Sequence, residues 1–201
     1  SGEVLAVAAH GPFLSRHQFR IGPQAQTIRL RLGERLRSLL RQPALVAGLP
    51  FHPAVHRLWF QGDWHPILIH DLSGPGLRPP RAQEVPAKRL LAYGTSITAG
   101  RAASGPHLTW AHHCAWRLGH DLINVGSGGS CHCEPDLVAW LAGRDDWHAA
   151  TLELSVNMYG FSVSEFAQRA AHALSCFAAR GRPLAVITNW TTSRDLGLEA
   201  E

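Results

Sequence analysis

A serine stands between glycines in the segment Tyr93–Gly100, which reads YGTSITAG. After a strand, such a turn exposes the serine hydroxyl and can aim backbone N–H groups at a developing oxyanion. This chemistry makes Ser96 a candidate nucleophile for acyl transfer. Taken alone, the same Ser/Thr cluster also fits a helix N-cap or a small phosphate-binding turn.

Two further segments carry groups that suit the same chemistry. In Asn124–Ser130, which reads NVGSGGS, glycines allow positive φ angles and a close approach of backbone to ligand. Asn157 follows an apolar run, and its side-chain amide can donate a hydrogen bond to an oxyanion. Taken singly, the glycine segment also fits a flexible turn, and Asn157 also fits a turn former.

Apolar runs of strand length precede all three segments and alternate with segments of helix length. This alternation predicts right-handed βαβ units and a parallel sheet. Ligands bind at the carboxyl ends of such strands, so we expect Ser96, Gly129 and Asn157 to converge at one sheet edge. The predicted strands cover 89–93, 121–125, 149–156 and 184–188, and the predicted helices cover 108–118, 134–141 and 164–179.

The densest Pro/Gly stretch lies at 74–80 and predicts a linker between two domains, 1–85 and 86–201. Short alternating or apolar runs before it predict a small antiparallel β module, with a turn at Gly62-Asp63. The segment Glu34–Arg41 fits either a strand or a short helix. The strands predicted for this module cover 4–9, 27–32, 55–60 and 66–70.

Together the three chemical segments resemble the sequence blocks of the SGNH/GDSL hydrolase family. Ser96 stands at the nucleophile position of the first block, Gly129 at the oxyanion glycine of the second, and Asn157 at the oxyanion asparagine of the third. The resemblance runs from about Pro86 to Asn189. It is greatest to the branch that carries a small β-sandwich module before the hydrolase domain.

This resemblance implies an α/β fold with a flavodoxin-like parallel sheet, preceded by that sandwich. It implies a serine esterase or acylhydrolase that acts on small acyl esters, such as acetylated sugars. Ser96 would attack the ester carbonyl, and the backbone N–H groups of Ser96 and Gly129 would hold the oxyanion together with the Asn157 side chain. No metal ion and no organic cofactor is implied.

The chain departs from the family pattern at three places. Thr95 stands where the name-giving motif has Asp, and Ser155 replaces the usual Gly of the third block. The general base belongs to an Asp-x-x-His block, and the one match, Asp145–His148, precedes the third strand, at the end of the sheet away from Ser96. We therefore expect the base beyond Glu201 and poor activity of the present chain, with His132 as a makeshift base.

Composition narrows the function classes. With 45% hydrophobic and 17% charged residues, the sequence indicates a globular protein, and no apolar run is long enough to span a membrane. Residues 3–9 lack the basic head of a secretory signal, which favours a cytoplasmic location. Residues 1–62 carry a net charge of +6, but the strict alternation of Ile28–Leu32 favours a solvated arginine face over a nucleic-acid partner.

Two residue types leave alternatives open. Cys131-His132-Cys133, with His113-Cys114, suggests zinc, but one intervening residue is shorter than the usual ligand spacing, so ordinary thiols are expected. Seven tryptophans leave room for a non-catalytic carbohydrate-binding module, although most are expected in the core.

The family's strand order would place a fifth strand beside 184–187, so we expect an exposed edge there and self-association.

Overall fold

A computed structural model describes residues 2–10, 13–21, 23–62, 67–154 and 156–188. Short 3-10 turns lie at Ala82–Glu84, Pro106–Leu108 and Val156–Met158. The strands are β1 (Gly2–His10), β2 (Phe13–Ile21), β3 (His56–Gly62), β4 (Arg89–Gly94), β5 (Asp121–Gly126), β6 (Ala149–Glu153) and β7 (Leu184–Ile187). The helices are α1 (Glu34–Leu40), α2 (Pro43–Ala47), α3 (Ser96–Ala99), α4 (Trp110–Arg117), α5 (Pro135–Gly143) and α6 (Val163–Ala178).

The described residues divide into two compact units. The first unit comprises 1–87 and 103–121, and the second comprises 88–102 and 122–201. The predicted division into the contiguous domains 1–85 and 86–201 stays a prediction. No helix in the described part of the chain is long and apolar enough to cross a membrane.

The first unit contains a three-stranded antiparallel sheet in the order β2-β1-β3. In the central strand β1, Gly2 pairs with Ile21 of β2, and Val4 pairs with Gly62 of β3. Ala6–Ala9 are fully buried at the middle of this strand. The predicted antiparallel module is therefore confirmed. A second sheet, which a sandwich requires, is not found among the described residues, so the sandwich itself stays a prediction.

The strand predicted at 27–32 is wrong, because 25–33 have no regular structure and 27–29 are exposed. Alternating Arg and apolar residues give a strand pattern, but a strand also needs a neighbour for its backbone groups. Residues 27–32 pair with none of the three strands of the sheet β2-β1-β3. The strand predicted at 66–70 is wrong over 67–70, which have no regular structure. Pro66 and Asp63 of the predicted Gly62-Asp63 turn lie outside the described residues.

The second unit contains a four-stranded parallel sheet in the order β5-β4-β6-β7. Numbered along the chain, these strands stand in the order 2-1-3-4, which is the flavodoxin-like order that was expected. Leu90 pairs with Ala149, and Ala150 pairs with Leu184. The fold class predicted from the sequence is confirmed, and β7 is the last strand on its side among the described residues.

The core of the second unit explains why its strands are nearly all apolar. Helices α5 and α6 pack together, and Val138, Leu141 and Phe177 contact buried residues of the sheet. Trp147 is fully buried, its indole Nε1 donates to Leu141 O at 3.2 Å, and the Arg182 guanidinium lies 4.5 Å from its ring centre. Central parallel strands are covered on both faces, which favours continuous apolar runs.

Candidate active site

Ser96 is the first residue of α3, in a sharp turn directly after β4. The Thr95 hydroxyl caps this short helix by accepting a hydrogen bond from Ile97 N at 3.2 Å. Gly100, with φ +99°, ends the helix in a left-handed conformation that glycine adopts without strain. The Ser96 side chain is half-buried, whereas Thr95 and Thr98 are fully buried. The turn thus holds the serine at the carboxyl edge of the sheet.

Glu153, the last residue of β6, meets this turn in the interior. Its Oε2 atom accepts hydrogen bonds from Thr95 N at 2.8 Å, Thr95 Oγ1 at 2.7 Å and Thr98 Oγ1 at 3.1 Å. The glutamate is fully buried. Sequence reasoning did not single it out, although a glutamate inside an apolar strand is a signal that a specific polar partner is required.

The turn after β5 packs against the same short helix. Asn124 Nδ2 donates to Thr98 O at 2.8 Å, and Ser127 N donates to Gly94 O at 2.8 Å. At Gly126, an added Cβ would lie 2.2 Å from Ala99 N, so only glycine allows this approach. The structure therefore brings the first and second segments into direct contact.

Gly129 and Asn157 extend this group of loops. Gly129 lies in the turn after β5 with φ +74°, and a Cβ there would meet nothing within 4 Å. Asn157 lies in the 3-10 turn after β6, and its Oδ1 accepts a hydrogen bond from Cys131 N at 3.2 Å. The second and third segments are thereby joined. Ser96, Gly129 and Asn157 follow the carboxyl ends of β4, β5 and β6, while their chemical roles stay predictions.

The two histidines considered as bases lie in different places. His148 Nδ1 accepts a hydrogen bond from Arg89 N at 3.2 Å, so it lies where β4 begins, whereas Ser96 follows the other end. His132 follows the second segment, with Nδ1 3.6 Å from Glu134 Oε1 and its ring centre 5.3 Å from that of Phe161. Among the described residues, no hydrogen bond joins His132 to Ser96.

The cysteines near the second segment are buried thiols. Cys131 and Cys133 are fully buried, and the hydrogen bond between the two thiols raises the pKa of Cys131 and lowers that of Cys133. Within the described ranges, no three His, Cys, Asp or Glu side chains are grouped so that they could hold a metal ion.

With this geometry established, comparison with known proteins assigns the class. Residues 87–180 match the model of the GDSL-like lipase/acylhydrolase family. This part of the chain, which carries Ser96, Gly129 and Asn157, therefore belongs to the GDSL-like (SGNH) hydrolases. None of the curated proteins matches the sequence significantly.

Several solved structures are similar to this chain, and for one of them the TM-score exceeds 0.5. The salicylyl-acyltransferase SsfX3 from a tetracycline biosynthetic pathway is 16% identical with a TM-score of 0.56, covering 96% of this chain and 55% of its own. AlinE4, an SGNH-hydrolase family esterase, is 19% identical with a TM-score of 0.47, and the alignment covers 53% of this chain and 61% of AlinE4. A GDSL-like lipase from Bacteroides ovatus ATCC 8483 is 24% identical with a TM-score of 0.42, and the alignment covers 49% of this chain and 29% of the lipase. The chain thus aligns with less than two thirds of each of these structures.

Proposed function

We propose that this protein is a serine esterase or acylhydrolase that acts on small acyl esters, such as those of acetylated carbohydrate. The observation that carries the proposal is the placement of Ser96 at a sharp strand-to-helix turn inside the family-matched segment. The loops of Gly129 and Asn157 follow the neighbouring strands and are joined by the Cys131–Asn157 hydrogen bond.

The proposed reaction proceeds through an acyl-enzyme. Ser96 Oγ attacks the ester carbonyl while a general base removes its proton, and the carbonyl oxygen becomes an oxyanion. The backbone N–H groups of Ser96 and Gly129 and the Asn157 Nδ2 group donate hydrogen bonds to that oxyanion. The protonated base then gives its proton to the leaving alcohol. Water, deprotonated by the same base, releases the acid and restores the serine.

The general base is proposed to come from an Asp-x-x-His block outside residues 1–201. His148 lies at the wrong end of β4 to reach Ser96. His132, which follows the second segment, is the internal alternative, but its Nδ1 lies 3.6 Å from Glu134 Oε1. A serine hydroxyl is a weak nucleophile without an adjacent base, so the 201-residue chain should turn over esters poorly.

The test compares hydrolysis of nitrophenyl acetate by the 201-residue chain and by a chain extended in frame through the next Asp-x-x-His. We expect near-background turnover by the shorter chain, with Ser96→Ala changing it little. The extension should raise the rate by about 10³-fold or more, because loss of the histidine removes most of a catalytic triad's effect. Only in the extended chain should Ser96→Ala abolish turnover.

Two outcomes would contradict this account. Brisk turnover by the shorter chain that Ser96→Ala abolishes would place the base inside residues 1–201, and His132→Ala would then be the next variant. An inactive extended chain whose tryptophan fluorescence responds to sugars would favour a non-catalytic carbohydrate-binding module instead.

A further inference from the structure

We propose that Glu153 is a positioning residue that fixes the turn carrying the nucleophile relative to the oxyanion loop. This inference rests on the proposed function, because it assigns a task to Glu153 only if Ser96 is the nucleophile. It goes beyond that function in naming the group that holds Ser96 in place. Glu153 is not proposed as a base, since it is fully buried and accepts hydrogen bonds from Thr95 and Thr98.

Three hydrogen bonds from the nucleophile turn converge on one oxygen of Glu153. A single oxygen, Oε2, accepts three hydrogen bonds of 2.7 to 3.1 Å, one from a backbone N–H and two from threonine hydroxyls. Burying a carboxylate is costly unless it is hydrogen-bonded, so these donors are required for Glu153 to occupy the interior. The arrangement therefore stabilises one conformation of the turn and disfavours others.

These donors stand on both sides of the nucleophile. Thr95 precedes Ser96 directly and, while donating to Glu153, accepts from Ile97 N through the same hydroxyl oxygen. Thr98 lies two residues after Ser96 and donates to the same Glu153 atom. The chain entering and leaving Ser96 is thus tied to the end of β6.

The same strand end leads to the oxyanion loop. Asn157 lies four residues after Glu153. The end of β6 is therefore connected both to the turn that carries Ser96 and to the loop that carries Asn157. Gly94 leaves room for this contact, because an added Cβ there would lie 2.8 Å from Glu153 Oε2 and 2.3 Å from Thr98 Oγ1. A shift of this connection would change the distance between the nucleophile and an oxyanion donor.

The test uses the extended, active chain and measures kcat and KM separately, together with the thermal midpoint of unfolding. Glu153→Gln keeps an oxygen acceptor of the same reach, and we expect kcat within about tenfold of the parent. Glu153→Leu removes the acceptor, and we expect kcat to fall about 100-fold with KM changed less than twofold, because misplacing a catalytic group by about 1 Å costs that much.

A matched control lies on the same strand. Thr151 is buried two residues before Glu153, and its hydroxyl has no hydrogen-bond partner among the described residues. Thr151→Val should leave kcat and KM unchanged. Thr98→Val removes one donor with nearly unchanged shape and should lower kcat about threefold to tenfold without raising KM. It tests the proposal even where Glu153→Leu does not fold.

The inference is overturned if Thr98→Val, or a folded Glu153→Leu, keeps kcat within twofold of the parent. It is also overturned if Glu153→Gln, folded like the parent, loses as much kcat as Glu153→Leu, because an oxygen acceptor should rescue the turn. Ser96→Ala in the same chain separates the two claims. If Ser96→Ala leaves turnover intact, the proposed function fails. If Ser96→Ala abolishes turnover while the Glu153 variants keep the kcat of the parent, only the positioning role is refuted.

Discussion

The backbone N–H of Cys131 donates a hydrogen bond to the side-chain Oδ1 of Asn157 at 3.2 Å. Because this bond occupies the oxygen of the Asn157 amide, Nδ2 is left as its donor. A donor of this kind is what an oxyanion requires. This contact links the two loops that are proposed to form the oxyanion hole.

Asn157→Asp is expected to abolish most of the activity without disturbing the fold. The variant retains an oxygen for Cys131 N–H but replaces the Nδ2 donor with an acceptor that repels an oxyanion. In the extended chain, kcat for nitrophenyl acetate should fall about 10²- to 10³-fold, as for other single oxyanion donors. The thermal midpoint should stay near that of the parent. A kcat within threefold of the parent would remove Asn157 from the oxyanion hole.

Gly126→Ala is expected to destabilise the protein, because its Cβ would lie 2.2 Å from Ala99 N and 2.7 Å from Thr98 C. Both contacts are backbone atoms of α3, so the helix itself must move. Such overpacking costs about 1–3 kcal/mol in the free energy of unfolding. Urea unfolding measures it.

Gly143→Ala is the matched control for that experiment. Gly143 ends α5, and an added Cβ would meet nothing within 4 Å. Its substitution should leave stability unchanged or raise it by about 0.4–1 kcal/mol. Equal unfolding midpoints for the two variants would show that the β5 turn does not pack against α3 as described.

The elements of the parallel sheet were predictable because their strands are apolar runs between helix signals. β4, β5 and β7 lie within one residue of their predicted bounds, whereas β6 ends at Glu153 instead of continuing to 156. Helix α6 begins one residue earlier than predicted, since Ser162 is the cap that accepts from Glu165 N at 3.1 Å. Because both faces of such strands are buried, they are continuous apolar runs that can be recognised in a sequence.

The other strands, helices and site contacts depend on residues that are distant in the sequence and that pair only in the fold. β2 was not predicted, since the segment FLSRHQFRI is rich in polar residues and becomes a strand by pairing with β1 along its length. The segment 34–41, which fitted a strand or a helix, contains helix α1. Glu153 was not recognised because its partners Thr95 and Thr98 lie more than 50 residues away.

His112 is expected to make the stability of the first unit depend on pH. Burial lowers the pKa of His112 to about 4, and the positive charges of His113, His107 and Arg57 act in the same direction. In the unfolded chain the pKa returns to about 6.5. Between these values the unfolded chain binds more protons, so the stabilisation present above pH 6.5 is lost as the pH falls toward 4.

The size of this effect is about 2–3 kcal/mol in the free energy of unfolding between pH 7 and pH 4. Urea titrations at several pH values measure it, and His112→Gln, which cannot titrate, should flatten the dependence by that amount. Parallel curves for the parent and the variant would contradict the assignment of a buried, neutral His112.

β7 is expected to promote self-association. It pairs with β6 on one side, has no strand on the other among the described residues, and exposes 45% of Val186. An unpaired apolar edge offers backbone N–H and C=O groups to another chain. Sedimentation velocity should show oligomers of the 201-residue chain that Val186→Lys reduces. A monomer at high concentration with a high, reversible thermal midpoint would show that the edge is covered.

The central claim is that Ser96 is an acyl-accepting nucleophile, and the most direct measurement is covalent labelling with a fluorophosphonate followed by mass spectrometry. In the extended chain we expect one adduct per molecule, located on the peptide that contains Ser96 and absent from Ser96→Ala. The 201-residue chain should label far more slowly. An adduct that persists in Ser96→Ala, or an extended and folded chain that forms none, would contradict the account.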